Sequence, residues 1–132
     1  MRLCSIASGS SGNCIYTGGE HTHLLVDTGI SKKRVEEGLK ALDIKGEELS
    51  GILITHEHID HISGIGVLSR KYDVPIYATS GTIAGISTTR SVGDIDDQLY
   101  QVIHKNENIT VGGLLIKAVP ISHDAAEPVC YT

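Results

Sequence analysis

Tryptophan and phenylalanine are absent from this 132-residue chain, and its ring-bearing apolar residues are five tyrosines. A core without large rings must be built mainly from Ile, Leu and Val. Positive charge is also scarce: 11 Lys and Arg face 16 Asp and Glu, a formal net charge of −5. A module that grips DNA or RNA by itself usually presents a basic face. The one basic run here is Lys32-Lys33-Arg34, so charge argues against a stand-alone nucleic-acid module. No apolar run approaches the ~18 residues needed to cross a bilayer, and no membrane partner is expected. Cysteine is limited to Cys4, Cys14 and Cys130, an odd set without a C-x-x-C pair or a preceding signal peptide. That pattern excludes a disulfide framework and predicts reduced thiols in a cytoplasmic protein. Each thiol is expected as a small buried apolar residue.

What is present is ordinary globular material, with 40% hydrophobic and 20% charged residues, enough to argue against disorder. The length fits one small domain or part of a larger one. Arg2 to Ala7 reads as a strand, followed by the turn cluster Ser8-Gly9-Ser10-Ser11-Gly12-Asn13. Cys14 to Thr17 and Thr22 to Val26 read as further strands joined by a short turn. Ser31 is a good helix N-cap, and Val35, Leu39 and Leu42 then recur on one helical face. Gly51 to Thr55 is a short continuous apolar run, the mark of a buried strand. Ser63 to Tyr72 looks helical, Pro75 to Thr79 extended, and Ser80 to Thr89 weakly helical and glycine-rich. Ser91 to Asp97 reads as a loop. Leu99 to His104, Asn108 to Val111 and Leu114 to Ile121 read as strands, the last two joined through Gly112-Gly113. Strands at both ends with helices between predict mixed α and β layers, an α/β (α+β) fold. Val129-Cys130-Tyr131 reads as the start of another strand, so the expected domain, residues 1–132, is truncated at its C-terminus.

The chemistry concentrates in Thr55-His56-Glu57-His58-Ile59-Asp60-His61, a turn expected directly after a buried strand. Imidazole nitrogen and carboxylate oxygen are natural ligands for Zn²⁺ and similar ions. A tight strand-end loop can aim His56 and His58 at one point and turn Asp60 and His61 towards a neighbouring one. Two ions ~3.5–4 Å apart, as in two-metal hydrolytic sites, suit that geometry. The plainer readings are a solvated loop with clustered histidines, or a structural metal site. The carboxylate argues against the second, because such sites usually keep an open position for chemistry. Glu57, between two ligands, is expected to point to solvent. His21, His23 and His104 have no partners in sequence and are expected on the surface or along strands. Gly9 to Asn13 is read as a plain tight turn rather than a phosphate cradle.

The Thr55–His61 segment resembles the signature of the metallo-β-lactamase fold superfamily. The resemblance also takes in Asp27, within Leu24-Leu-Val-Asp-Thr-Gly29, and His123 at a later strand end. Ala7-Ser-Gly-Ser-Ser-Gly-Asn13 and Ser122-His-Asp-Ala-Ala-Glu-Pro128 look like the YycJ/WalJ-like branch, described as metal-dependent exonucleases on double-stranded DNA. The resemblance implies half of an αββα sandwich, a mixed β-sheet with flanking helices. It implies that His56, His58 and His123 hold a first metal and that Asp60 and His61 hold a second. Asp60 would also act catalytically by orienting the attacking hydroxide, and Asp27 would support the histidine loop by hydrogen bonding. A bridging Asp and a final His of the family have no counterpart in this sequence. The second ion would then have little affinity, and the 132 residues alone would hold one metal and be inactive.

These readings converge on a metal-dependent hydrolase, foremost a phosphodiesterase or exonuclease that attacks DNA through a metal-activated hydroxide. The expected cofactors are two divalent ions, Zn or Mn, with Fe also compatible. One alternative is a glyoxalase-II-like hydrolase of a thioester, lactone or β-lactam. Another is a non-catalytic metal-binding module. A half-sandwich exposes apolar surface, so a homo-oligomer is also expected.

Overall fold

Three strands open the chain in the computed structural model, which describes residues 1–132. β1 (Arg2–Ala7), β2 (Cys14–Gly18) and β3 (His23–Val26) form an antiparallel meander. In β2 the side chains of Cys14 and Tyr16 are buried while Ile15 between them is exposed, the period-2 signature of a pleated strand. β4 (Gly51–Leu53), β5 (Ile76–Ala78) and β6 (Tyr100–Val102) then add in parallel, giving the order β1-β2-β3-β4-β5-β6. All of β4 is buried, as expected for a strand covered on both faces.

Parallel neighbours need crossovers, and here helices supply them. α1 (Lys32–Ala41) links β3 to β4. α2 (Ile59–Ile62) and α3 (Ile65–Tyr72) link β4 to β5, and α4 (Ser80–Ser87) lies between β5 and β6. Ser31 caps α1 by accepting from the Arg34 N–H at 3.3 Å, a contact worth about 1 kcal/mol. Val35 and Leu39 are the buried side of that helix, in line with the periodicity. β7 (Asn108–Val111), β8 (Leu114–Pro120) and β9 (Val129–Tyr131) make a second, antiparallel sheet.

Two bodies of core result. Tyr16, Leu25, Ile52, Ile54 and Ile76 pack with Leu39, Ile65 and Leu68 on the helical side of the large sheet. Leu24 and Leu53 face Val111 and Ile116 of the small sheet, with Ile103, Ala118 and Val129 continuing that layer. The order is helices, mixed sheet, second sheet. The mixed α and β architecture agrees with the sequence reading.

His23 lies on a strand, one of the two places expected for it, and is buried with its ring nitrogen 2.7 Å from the Tyr16 hydroxyl, because β3 turns it to the helical side. Two details depart from the sequence reading. Cys14 is buried, and burial pushes its thiol up to about 12, whereas Cys130 is exposed on the outer face of β9. A 3-10 turn over Arg90–Val92 occupies part of the segment read as loop. No helix is long and apolar enough to cross a membrane.

Ile52 has no exposed surface and lies in the middle of the large sheet. Ile52→Ala is expected to cost about 2–5 kcal/mol by lost transfer energy and a residual cavity. Urea unfolding will show it as a lower midpoint at unchanged slope.

Candidate metal centre

The functional side chains gather at the carboxyl ends of strands, where the backbone leaves the sheet and is free to turn. Asp27 follows β3, the 55–61 loop follows β4, and His123 follows β8. Ligands of open parallel sheets bind in this place.

Asp27 is buried at 4% exposure and lies in the left-handed region, with φ 63°. Aspartate tolerates that conformation better than most residues. The carboxylate spans the whole histidine loop: Oδ1 accepts from the Thr55 N–H at 2.8 Å, and Oδ2 accepts from the Thr55 hydroxyl at 2.8 Å and from His61 Nδ1 at 2.6 Å. These bonds set tautomers, because a carboxylate only accepts. His61 must carry its proton on Nδ1, which leaves Nε2 as the lone-pair site. The Thr55 hydroxyl donates its one hydrogen bond to Asp27, so at 2.9 Å it accepts from His56 Nδ1, and His56 Nε2 is likewise free.

His56, His58 and His123 each offer a ligand nitrogen, and all three atoms lie within 4.8 Å of one another. Their ring centroids are 4.7 Å (56 to 58), 4.4 Å (56 to 123) and 5.0 Å (58 to 123) apart. His56 is buried, His58 half-buried and His123 exposed, so the cluster has an open side. Three imidazole nitrogens converging from one side suit a divalent ion of the Zn²⁺ type. The remaining pair, Asp60 and His61, lies alongside: Asp60 Oδ2 is 3.5 Å from His61 Nε2, and the His61 ring centroid is 4.0 Å from that of His56. These two side chains could take a second ion next to the first.

Electrostatics separates the rings. Burial, and then the neighbouring His61, lowers His56 to about 4, so it stays a neutral potential ligand at physiological pH. Burial opposes protonation of His61 too, but the hydrogen bond and charge of Asp27, with Asp60 behind, outweigh it and raise its pKa.

Three contacts were not legible in the sequence. Asn13 donates through Nδ2 to the Gly9 carbonyl at 2.9 Å and lies 3.3 Å from both Asp60 Oδ2 and His61 Nε2. The glycine-rich turn is therefore tied to the ligand loop, and the Asn13 N–H adds a bond to the Asp60 carbonyl at 2.8 Å. Gly29 supplies the necessary close approach, since a Cβ there would strike the Asp60 carbonyl. Glu57 does not point to solvent: it accepts from the Ala126 N–H at 2.9 Å and packs against Gly85. Its position between two histidines carried no signal of a partner 69 residues away.

The Asp27–His61 pair stabilises the metal-free fold fully below the ordinary imidazole pKa of about 6.5. That contribution is lost as pH rises through the raised value of His61. Asp27→Asn removes the charge, so the His61 pKa should fall. An NMR pH titration of the ring protons in metal-free protein checks this.

The family model for the metallo-beta-lactamase superfamily matches residues 7–125. The exodeoxyribonuclease YycJ of Bacillus anthracis is 41% identical over 131 residues, 99% of this chain and 49% of the relative. The exodeoxyribonuclease WalJ of Streptococcus pneumoniae is 40% identical over 126 residues, 96% of this chain and 47% of the relative. The chain thus spans about half the length of these curated relatives. Among solved structures, the Rm3 metallo-beta-lactamase matches with a TM-score of 0.82 over 98% of this chain and 52% of its own. At 17% identity that likeness concerns the fold alone. The fold family implies divalent metal ions, and the three-histidine cluster fits such a site. A family match over nearly the whole chain, on a sheet that carries the histidine loop at its strand ends, makes this chain a member of the metallo-beta-lactamase superfamily.

Proposed function

We propose that the chain carries the first half of a metal-dependent hydrolase site, and that the substrate is a phosphodiester of DNA. The convergence of His56, His58 and His123 within 4.8 Å is the observation that carries the reading. In this reading those three rings hold one ion, and Asp60 and His61 hold a second. Zn²⁺ and Mn²⁺ suit the donor set, and Fe²⁺ is compatible with it. With two protein ligands from this chain, the second site is the weaker, so the 132 residues by themselves retain one ion. When bound, the ions would lower the pKa of an attacking water and bring to the phosphate the positive charge that a chain of net charge −5 lacks.

The residues of the chain do the rest. Asp27 accepts the His61 Nδ1 proton and keeps Nε2 aimed at the site. Thr55 does the same for His56. Burial keeps His56 unprotonated, the form that ligates. The Asp60 carboxylate, 31% exposed and beside His61 Nε2, orients the water for attack. Substrate reaches the centre from the side of His123, the exposed member of the cluster. The exodeoxyribonuclease relatives favour DNA over a thioester or a lactam, and three free cysteines suit a reducing cytoplasm.

Self-association belongs to the same reading. Met1, Leu3 and Leu115 are 89%, 78% and 68% exposed around an apolar cavity of about 230 Å³ between the sheets, a surface suited to a second copy of the chain. Light scattering is expected to give a mass above 14.1 kDa that rises with concentration. A monomer at every concentration would count against it.

Hydrolysis of bis-p-nitrophenyl phosphate, a thioester and nitrocefin, side by side with Mn²⁺ or Zn²⁺, tests the reaction class. It should be run on this chain and on a longer form matching the relatives' length. Turnover of the phosphodiester is expected in the longer form, and His58→Ala should lower it by at least about 100-fold. Preference for the thioester or nitrocefin would move the reading to a carbon-centred hydrolase. Metal bound without turnover of any of the three would make it a binding module.

A further inference from the structure

His56 and His58 share one short turn between β4 and α2, whereas His123 comes from a separate segment between β8 and β9. Residues 121–128 form neither helix nor strand. Two backbone bonds close the neck of this segment: the Ile121 N–H to the Pro128 carbonyl at 3.2 Å, and the Val129 N–H to the Thr55 carbonyl at 2.9 Å. Between them, two glutamates do the holding. Glu57 of the histidine loop accepts from the Ala126 N–H at 2.9 Å. Glu127 turns back onto the start of α4, where it accepts from the Gly81 N–H at 2.9 Å and the Ser80 hydroxyl at 3.3 Å. The Thr79 hydroxyl donates to the Glu127 carbonyl at 2.8 Å, and Lys105 Nζ lies 3.7 Å from Glu127 Oε2.

α4 is shaped for both. Gly81 and Gly85 are four residues apart and so share one helical face. A Cβ at Gly81 would collide with Glu127 Cβ, and one at Gly85 would collide with Glu57 Cγ. Glycine is a poor helix former, and two in an eight-residue helix are explained by these approaches rather than by local preference. Glu57 Oε1 is buried without a protein donor. Such a group costs free energy and calls for an explanation.

We propose that Glu57 and Glu127, seated in the groove left by Gly81 and Gly85 of α4, are positioning residues that set His123 at the distance from His56 and His58 that one cation requires. The inference rests on reading those three histidines as a metal site. It assigns a purpose to the glycine-rich helix, which the reaction itself does not use. Removing a side chain that orients a metal ligand typically costs ~10–100-fold in metal affinity.

The test is Co²⁺ binding to the chain, followed by calorimetry and by the visible ligand-field spectrum. The variants are Glu57→Ala, Glu57→Gln and Gly85→Ala, with His123→Ala as the reference for a lost ligand. Glu57→Ala and Gly85→Ala are expected to weaken Co²⁺ binding about tenfold and to shift the spectrum towards that of His123→Ala. Glu57→Gln keeps an acceptor for the Ala126 N–H and should restore both. Alanine favours helix, so Gly85→Ala should not lower the metal-free melting temperature through propensity. Unchanged affinity and spectrum in Glu57→Ala and Gly85→Ala would overturn the proposal. So would a loss of affinity that leaves the spectrum unaltered and follows a fall in metal-free stability. If the unsubstituted chain takes up no Co²⁺, the underlying metal-site reading fails, and the clamp fails with it.

Discussion

A single buried carboxylate governs the geometry of the histidine loop. Asp27 receives a backbone N–H, a hydroxyl and an imidazole N–H from the two ends of one seven-residue turn. Burying a charge is expensive, and the cost is offset only when good hydrogen bonds meet it. Three donors at 2.6–2.8 Å do so here. The consequence reaches beyond stability. The same bonds dictate which nitrogen of His56 and of His61 is left unprotonated, and they turn those nitrogens away from Asp27. The conformation that makes this possible is an aspartate with φ 63°, at the first residue after β3.

Sheet topology explains why everything else assembles there. β3 and β4 are parallel neighbours, so Asp27 and the histidine loop emerge from adjacent strand ends on the same edge. β5 is the next parallel strand, and it delivers Thr79 and the glycine face of α4 to that edge. The small sheet lies against the opposite face of the large one, through Leu24, Leu53, Val111 and Ile116. That packing brings the end of β8, and with it His123, over the loop. A Val129–Thr55 backbone bond joins the two sheets at this point.

Two glycine-rich stretches turn out to serve the same centre from opposite sides. The Gly9–Asn13 turn reaches Asp60 and His61 through the Asn13 amide. The α4 glycines admit the glutamates that flank His123. In both cases the missing side chain matters because something else must come close.

The sequence by itself determined most of the elements and marked the candidate site. Helical periodicity located α1, a continuous apolar run located β4, and turn residues marked where the other strands begin and end, because burial and chain reversal leave local traces in the sequence. The density of His and Asp in residues 56–61 marked the centre, because few other arrangements of those side chains have a use. Only tertiary structure decided which distant groups complete it. His123 was legible through resemblance to a family, but Asn13, Glu57 and Glu127 were not. Their partners lie 46 to 69 residues away in sequence, and a hydrogen bond across such a separation depends on how sheets and helices pack. Local composition carries no record of that packing, so Glu57 was read as solvent-facing and the α4 glycines as mere weakness in a helix.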